Sequence, residues 1–382
     1  MTTKRTIFRG GLIYDGTSLL EGHVLICLNG KVSEIVPEKH TQPGEIVVDL
    51  DGDTLSAGYV DLQVNGGGGV LFNDDPSVAT LRTIAASHRS LGAVRVLPTL
   101  ISADRAKTAA AIEAAIEAQS MGLSGVAGLH LEGPHLSIAR KGAHDPAAIR
   151  PMEADDITAL IRASQSLSVL KVTVAPESVS CDQVRSLAKA GVVVSLGHTD
   201  ADYETCLRYA AAGACCATHL FNAMSQLGNR SPGLVGAVLA SETLSAGVIA
   251  DGIHVHPEAL RVAWAAKRGP GQLYLVSDAM AVAGSQILEF VLDGRRVIRH
   301  HGKLTLQDGT LAGADLDLST AIRVAIYQVG IDPASAFAAA TKYPGTIIGL
   351  MDWHLRQGFC VSDIIRVSKS FDTVSTLSDS LH

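Results

Sequence analysis

From residue 58 onward, short apolar runs alternate with alanine-rich segments that have helical periodicity. This alternation predicts strands joined by helices, and such connections give parallel strands that are buried on both faces. We count eight strand-like runs, at 59–64, 93–99, 126–132, 170–176, 192–198, 214–219, 246–251 and 273–278. Eight successive β–α units predict an α/β fold of the (β/α)₈ TIM-barrel type.

The segments on either side of this region follow a different pattern. Residues 1–57 contain short strand-like runs such as His23–Leu28, separated by Asp-Gly and Asn-Gly turns. A run of the same character lies at 361–367. We therefore predict a small β-sandwich domain built from the N-terminal segment 1–57 and the C-terminal segment 350–382, with the barrel at 58–349 between them.

The composition suits a large folded protein and excludes several classes of function. Hydrophobic residues make up 47% of the chain and charged residues 18%, a balance that favours a large buried core over disorder. The net charge of -7 gives no sign of the basic surface that nucleic-acid binding needs. An anionic small substrate stays compatible, because one pocket can be positive within a negative protein.

We expect a cytoplasmic protein without a membrane segment. The N-terminus lacks the apolar core of a signal peptide. The longest run without a charged residue, 209–229, contains His219 and Asn222 and would span a membrane poorly. The six cysteines form no CxxC pair, so we interpret them as packing residues in a reducing compartment.

Four polar side chains end four of the predicted strands: Glu132, His198, His219 and Asp278. Catalytic residues of TIM barrels lie at the C-terminal ends of the strands, so we expect these four to converge. A carboxylate and two imidazoles suit Zn²⁺ and leave a position open for water. A further aspartate can then move protons. The pattern predicts metal-assisted hydrolysis.

Each of these residues also has a plainer interpretation when it is taken alone. A strand-end carboxylate such as Glu132 can cap a helix or pair with a cation, and a lone histidine is usually a satisfied core residue. Asp278 can be a helix N-cap. The matched strand-end positions of all four residues favour the metal site over these alternatives.

Seven short motifs occur in order between residues 58 and 315. Together they resemble the N-acetylglucosamine-6-phosphate deacetylases of the metal-dependent amidohydrolase superfamily. The motifs lie at Gln63–Gly67, Leu129–His135, Gly197–Thr199, Thr218–Met224, Ala250–Val255, Val276–Met280 and Leu311–Gly313. The resemblance implies hydrolysis of N-acetyl-D-glucosamine 6-phosphate to D-glucosamine 6-phosphate and acetate, in amino sugar catabolism or recycling.

The resemblance also implies roles for individual residues. Glu132, His198 and His219 match the metal ligands, Asp278 matches the catalytic acid/base, and His254 matches a histidine that polarises the amide carbonyl. Arg230 matches an arginine that reaches the neighbouring active site of a homodimer. The remaining substrate-binding positions by resemblance are Gln63, Ala143, His144, Asn222, Ala223, Asp251, Leu311, Ala312 and Gly313.

One metal ion per subunit is expected, because of the residues that end the first barrel strand. Many metal-dependent amidohydrolases have a His-x-His pair there that holds a second metal, whereas this chain has Gln63 and Asn65. Neither amide is a strong zinc ligand. We predict a single divalent ion, Zn²⁺ first, with Fe²⁺, Mn²⁺ and Co²⁺ also suited to the ligand set.

Two other functions stay open. The chain could be another single-metal amidohydrolase that acts on a different N-acyl (phospho)sugar or on an N-acyl amino acid. It could also be a barrel without catalytic activity, although such a protein is expected to have a broken metal set. Ala314 and Asp315 depart from the family pattern after the last motif, where small hydroxyl residues are usual.

Overall fold

The computed structural model describes residues 5–40 and 46–377. Residues 1–4, 41–45 and 378–382, which belong to the predicted small β domain, lie outside the described residues.

Strands are numbered in chain order. They are β1 (Arg5–Arg9), β2 (Leu12–Tyr14), β3 (Leu19–Leu20), β4 (His23–Leu28), β5 (Lys31–Pro37), β6 (Ile46–Asp49), β7 (Thr54–Ala57), β8 (Tyr59–Val64), β9 (Gly66–Gly67), β10 (Val70–Leu71), β11 (Ala93–Ile101), β12 (Leu129–Glu132), β13 (Leu170–Val174), β14 (Val193–Leu196), β15 (Cys216–Ala217), β16 (Ser245–Val248), β17 (Leu273–Leu275), β18 (Glu289–Leu292), β19 (Arg295–His300), β20 (Lys303–Thr305), β21 (Leu311–Ala314), β22 (Ile364–Val367) and β23 (Val374–Thr376).

The α-helices are α1 (Val78–Ser90), α2 (Arg105–Ser120), α3 (Ala154–Ser166), α4 (Cys181–Lys189), α5 (Tyr203–Ala211), α6 (Gly233–Ala240), α7 (Pro257–Ala266), α8 (Leu318–Val324), α9 (Pro333–Ala340) and α10 (Lys342–Ile347). A π-helical turn, Ala325–Val329, continues α8. Side-chain caps such as Asp104 before α2 and Asp202 before α5 accept hydrogen bonds from the first turn, which fixes where these helices begin.

Eight parallel strands form the predicted barrel. Their order in the sheet is β8, β11, β12, β13, β14, β15, β16 and β17, which is the order along the chain. A parallel bridge between Val64 and Ala279 joins the two ends of the sheet. At the same seam the Asp278 amide donates to the Gln63 carbonyl oxygen at 3.0 Å. The predicted fold class is confirmed, and the seam brings the first motif beside Asp278.

Both chain ends contribute to one sheet outside the barrel. It has the order β23-β22-β7-β2-β3, and a second sheet has the order β5-β4-β1-β6. Strand β22 pairs antiparallel with β7, so the C-terminal segment returns to the N-terminal strands as the sequence predicts. The Trp353 indole donates to the Gly58 carbonyl oxygen at 2.7 Å and ties this segment to the barrel. The domain limits at 57 and 349 stay predictions.

A four-stranded antiparallel sheet, β18–β21, lies between the last barrel strand and α8. We call residues 289–314 the flap. Leu292, Val297 and Leu304 of the flap share an apolar cluster with Ile101 and Met280 at the mouth of the barrel. This packing holds the motif Leu311–Gly313 over the C-terminal ends of the barrel strands.

Among the described residues, no helix is long and apolar enough to cross a membrane. The six cysteines are free thiols.

Candidate active site

Three of the four predicted strand-end residues have backbone conformations that are rare for L-amino acids. The φ angles are 48° at His198, 31° at His219 and 50° at Asp278. Such left-handed conformations are uncommon outside glycine and cluster at functional sites. Each marks a sharp change of chain direction just after a barrel strand, and the three side chains lie together with Glu132 at the C-terminal end of the barrel.

The predicted metal-ligand atoms converge. Glu132 Oε1 lies 3.2 Å from His198 Nε2 and 3.0 Å from His219 Nε2, and the two imidazole nitrogens are 3.1 Å apart. All three side chains are buried, and within the described residues they form one group that can hold a metal ion. The His198 Nδ1–H donates to the Arg140 carbonyl oxygen at 2.8 Å, which leaves Nε2 unprotonated for a metal.

The electrostatics of this group suit a cation. Burial opposes ionisation of Glu132, but the adjacent His198 and His219 rings lower the pKa of the carboxyl well below its usual range. Burial, and next the nearby His198, lower the pKa of His144 to about 3, so this ring is neutral. A carboxylate and two imidazole nitrogens that lie 3.1 Å apart fit one shared divalent ion.

Gln63 and Asn65 bind Asp278 from below the cavity. The Asn65 amide donates to Asp278 Oδ1 at 2.7 Å, and the Gln63 amide donates to the same oxygen and to Glu132 Oε1, both at 3.1 Å. Both amides donate to Oδ1, and neither donates to Oδ2. Burial, followed by the charge of Glu132, raises the pKa of Asp278, which favours a group that accepts a proton.

His254 and Asp251 form a pair at the wall of the cavity. His254 Nδ1 lies 2.6 Å from Asp251 Oδ2, and the other carboxylate oxygen accepts the backbone amides of Ile253 and His254 at 2.8 Å each. The carboxylate therefore fixes the ring and its Nδ1–H tautomer. The Nε2 atom is left to act in the cavity that His254 lines.

A cavity of about 260 Å³ contains most of the predicted substrate-binding positions. Besides the metal-ligand set, Asp278 and His254, its lining includes Ala143, His144, Asn222, Ala223, Leu311 and Gly313. It also includes Asn65, Ile101, Gly142, Ile249, Met280, Leu292 and Thr310, which were not among the predicted contacts.

Four predicted contact residues lie outside this lining. Gln63 is buried beneath it and acts on Glu132 and Asp278, and Asp251 reaches it through His254. The Ala312 side chain is buried in the apolar cluster of the flap. Arg230 lies in an exposed loop. Their roles toward substrate stay predictions.

Sequence reasoning missed the backbone groups that orient the histidines. The Ser102 amide donates to His144 Nδ1 at 3.2 Å, which leaves Nε2 of the neutral ring protonated, as a donor. In His198 the Arg140 carbonyl oxygen accepts from Nδ1–H, so Nδ1 carries the proton in that ring. Backbone groups carry no signal of residue type, so only the position of Arg140 within the Leu129–His144 region could have suggested a role.

Comparison with known proteins agrees with this geometry. Residues 54–352 match the Amidohydrolase family. The chain belongs to this family. Amidohydrolases depend on metal ions, and the group formed by Glu132, His198 and His219 can hold one.

Within the amidohydrolase family, the similar curated proteins are sugar-phosphate deacetylases. An N-acetylgalactosamine-6-phosphate deacetylase from Shewanella sp. (strain ANA-3) is 43% identical over 78% of this chain and 75% of that protein. An N-acetylglucosamine-6-phosphate deacetylase from Haemophilus influenzae is 34% identical over 89% of each. The resemblance predicted from the motifs is confirmed.

Solved structures give the same result. The N-acetylglucosamine-6-phosphate deacetylase from Pasteurella multocida superposes with a TM-score of 0.90 at 32% identity, covering 97% of each chain. A mutant of the Mycobacterium smegmatis enzyme in complex with N-acetyl-D-glucosamine-6-phosphate superposes with a TM-score of 0.88 at 26% identity, over 98% of this chain and 97% of that one.

Proposed function

We propose that the protein hydrolyses the acetamide of N-acetyl-D-glucosamine 6-phosphate to D-glucosamine 6-phosphate and acetate. The observation that carries this proposal is the convergence of Glu132, His198, His219 and Asp278 at one cavity of about 260 Å³. The names of the similar deacetylases supply the substrate class.

Glu132, His198 and His219 would hold one divalent ion, which we propose to be Zn²⁺. A bound ion supplies Lewis acidity that activates water and polarises a carbonyl. Asp278 takes the proton of the attacking water at Oδ2, because Oδ1 is held by Gln63 and Asn65. It then passes the proton to the nitrogen as the C–N bond breaks, so that acetate and the amine leave.

We propose that His254 acts on the carbonyl oxygen of the amide. With Nδ1–H held by Asp251, Nε2 is the His254 atom that we place beside the carbonyl oxygen, where negative charge develops. His144 offers a second donor, its Nε2–H, which suits a sugar hydroxyl. We propose that the sugar and its phosphate contact the wall formed by Asn222, Ala223, Leu311 and Gly313.

We infer a homodimer in which Arg230 contacts the phosphate in the neighbouring subunit's site. A guanidinium binds phosphate well because its planar fork can donate two hydrogen bonds. The exposed loop that carries Arg230 follows the cavity residues Asn222 and Ala223, which fits a position at the mouth of the site. A cytoplasmic location stays a prediction.

N-acetylgalactosamine 6-phosphate is a second candidate substrate. The 43% identical Shewanella relative and a 32% identical Escherichia coli O157:H7 relative are both named for that sugar. The two substrates differ in the configuration of one ring hydroxyl, and the acetamide chemistry is the same for both.

The test is acetate release from both sugar phosphates and from unphosphorylated N-acetylglucosamine, before and after chelation, with metal quantified per chain. We expect about one metal per chain, turnover that chelation abolishes, and poor turnover without the phosphate. The ratio of kcat/KM for the two sugar phosphates decides between them. Metal without turnover of any of the three would contradict the substrate class.

A matched pair of variants tests the ligand set. Glu132→Gln removes the anionic ligand, so we expect loss of bound metal and of activity together. Glu117→Gln changes an exposed glutamate on α2 and is expected to keep both. Normal metal content in Glu132→Gln would show that the ion binds elsewhere.

A further inference from the structure

A second cavity lies outside the barrel, between helices α2 and α3. Its volume is about 410 Å³, larger than that of the active-site cavity. The floor is formed by Leu131, Gly133 and Pro134, which adjoin Glu132 at the end of β12. The cavity is therefore separated from the metal-ligand set by the thickness of one strand.

The walls of this cavity are apolar. Ile112 and Ile116 of α2 are only half-buried and line one wall, while Leu160 and Ala163 of α3 line the other. Ligand sites are typically concave, mainly apolar and about 300–1,000 Å³ in volume. A volume of about 410 Å³ lies within this range and admits a small molecule.

The charged groups around the cavity balance each other. Its lining has three cations, Arg105, Arg150 and Arg162, and three anions, Glu113, Asp155 and Asp156. Arg150 binds both oxygens of Asp156, at 2.5 and 2.6 Å, and Arg105 binds Asp156 and Glu153. Two of the three arginines, Arg105 and Arg150, are thus already neutralised, which favours an uncharged ligand.

One polar ring lies in this lining. His135 Nδ1 donates to the Arg150 carbonyl oxygen at 3.1 Å. Burial lowers the pKa of His135, so the ring is neutral and its Nε2 is an acceptor. A matching ligand carries one hydrogen-bond donor on an apolar ring.

The loop 133–150 connects this cavity to the active site. Its two ends meet at the cavity, where the Arg150 amide donates to the Pro134 carbonyl oxygen at 3.1 Å. Between those ends, the Ser137 amide donates to the His198 carbonyl oxygen at 2.9 Å, and the Arg140 carbonyl oxygen accepts His198 Nδ1–H. A molecule that moves the ends of the loop moves the groups that orient His198.

We propose that the cavity between α2 and α3 binds a small uncharged molecule with an apolar ring and one hydrogen-bond donor, and that binding there changes the affinity of the active site for its metal. The binding half of this proposal is independent of the proposed function. The coupling half rests on the proposed metal site.

Indole is the probe for binding, because it is an uncharged ring with one N–H donor. Ala159 is an exposed residue of α3 that lines the cavity, so Ala159→Phe fills the cavity without disturbing the core. Ala154→Phe places the same ring on the same helix outside the lining and is the control. We expect saturable binding by calorimetry to wild type and control, weakened at least about tenfold in Ala159→Phe.

Equal affinity in all three proteins, or no saturable binding to wild type, would overturn the proposal. For the coupling, Zn²⁺ affinity is measured by competition with a chromophoric chelator, with and without saturating indole. We expect a change of at least about threefold, absent in Ala159→Phe. Indole binding with unchanged Zn²⁺ affinity overturns the coupling, whereas protein that binds indole but no Zn²⁺ contradicts the proposed function.

Discussion

At the scale of single residues, hydrogen bonds to Asp278 make the two oxygens of its carboxylate inequivalent. Gln63 and Asn65 both donate to Oδ1, and their own positions are fixed by burial in the barrel. Many of the metal-dependent amidohydrolases that this chain resembles have histidines at these two positions, and those histidines bind a second metal. In this chain the two amides donate to Asp278, the base that we propose.

Asp278→Asn should therefore lower kcat by about 10³-fold, because the amide cannot take a proton from water. Metal content should stay near that of wild type, since Asp278 is not one of the proposed ligands. Asp308→Asn, at an exposed position of the flap, is the control. Substantial activity in Asp278→Asn would assign the base to another residue.

Asp251 is a positioning residue in this scheme, because it acts on substrate only through His254. Asp251→Asn should lower kcat by about 10–10²-fold and change KM little, since the ring is needed most when charge develops on the carbonyl oxygen. Steady-state kinetics with metal quantification checks this. A loss confined to KM would place Asp251 in ground-state binding instead.

At the scale of elements, a buried carboxylate lies at the seam of the barrel. Asp61 on β8 accepts the Ser277 amide, which follows β17, at 3.2 Å. Burial raises the pKa of Asp61 to about 7. Between the unfolded-state pKa of about 3.9 and this value, the folded protein holds a proton that the unfolded chain has lost, so stability falls as pH rises through that window.

Asp61→Asn should remove this part of the pH dependence, because the amide does not ionise. The free energy of unfolding in urea, compared at about pH 4.5 and about pH 7.5, should fall by roughly 1–3 kcal/mol more in wild type than in the variant. Equal changes in both proteins would show that Asp61 keeps an ordinary pKa in the fold.

The elements differ in how far sequence could predict them. Barrel strands such as β12 and β14 lie within apolar runs, and the predicted ends of these runs locate Glu132 and His198. The flap strands were harder, because β19 carries Arg295, Arg296 and Arg299 in a run without strict alternation. The left-handed φ at His198 and the space between α2 and α3 depend on three-dimensional packing, which residue types do not encode locally.

At the scale of the whole molecule, the proposed dimer makes each active site depend on two chains. If Arg230 acts in the neighbouring site, then Asp278→Asn and Arg230→Ala proteins are each inactive alone but complement each other in mixed dimers. Mixing them with subunit exchange should restore about a quarter of wild-type activity, since half of the dimers are mixed and each has one intact site. No recovery from two inactive variants would mean that Arg230 acts within its own chain, and an active Arg230→Ala protein would mean that Arg230 is not needed.

The pairing of β22 with β7 has a consequence for how the protein is made. Residues 54–57 are synthesised long before residues 364–367, yet the two strands are neighbours in one sheet. A growing chain on the ribosome therefore carries β7 with one edge unpaired while the whole barrel emerges. Exposed strand edges pair readily with other chains, so until residues 364–367 are made this edge is open to such pairing.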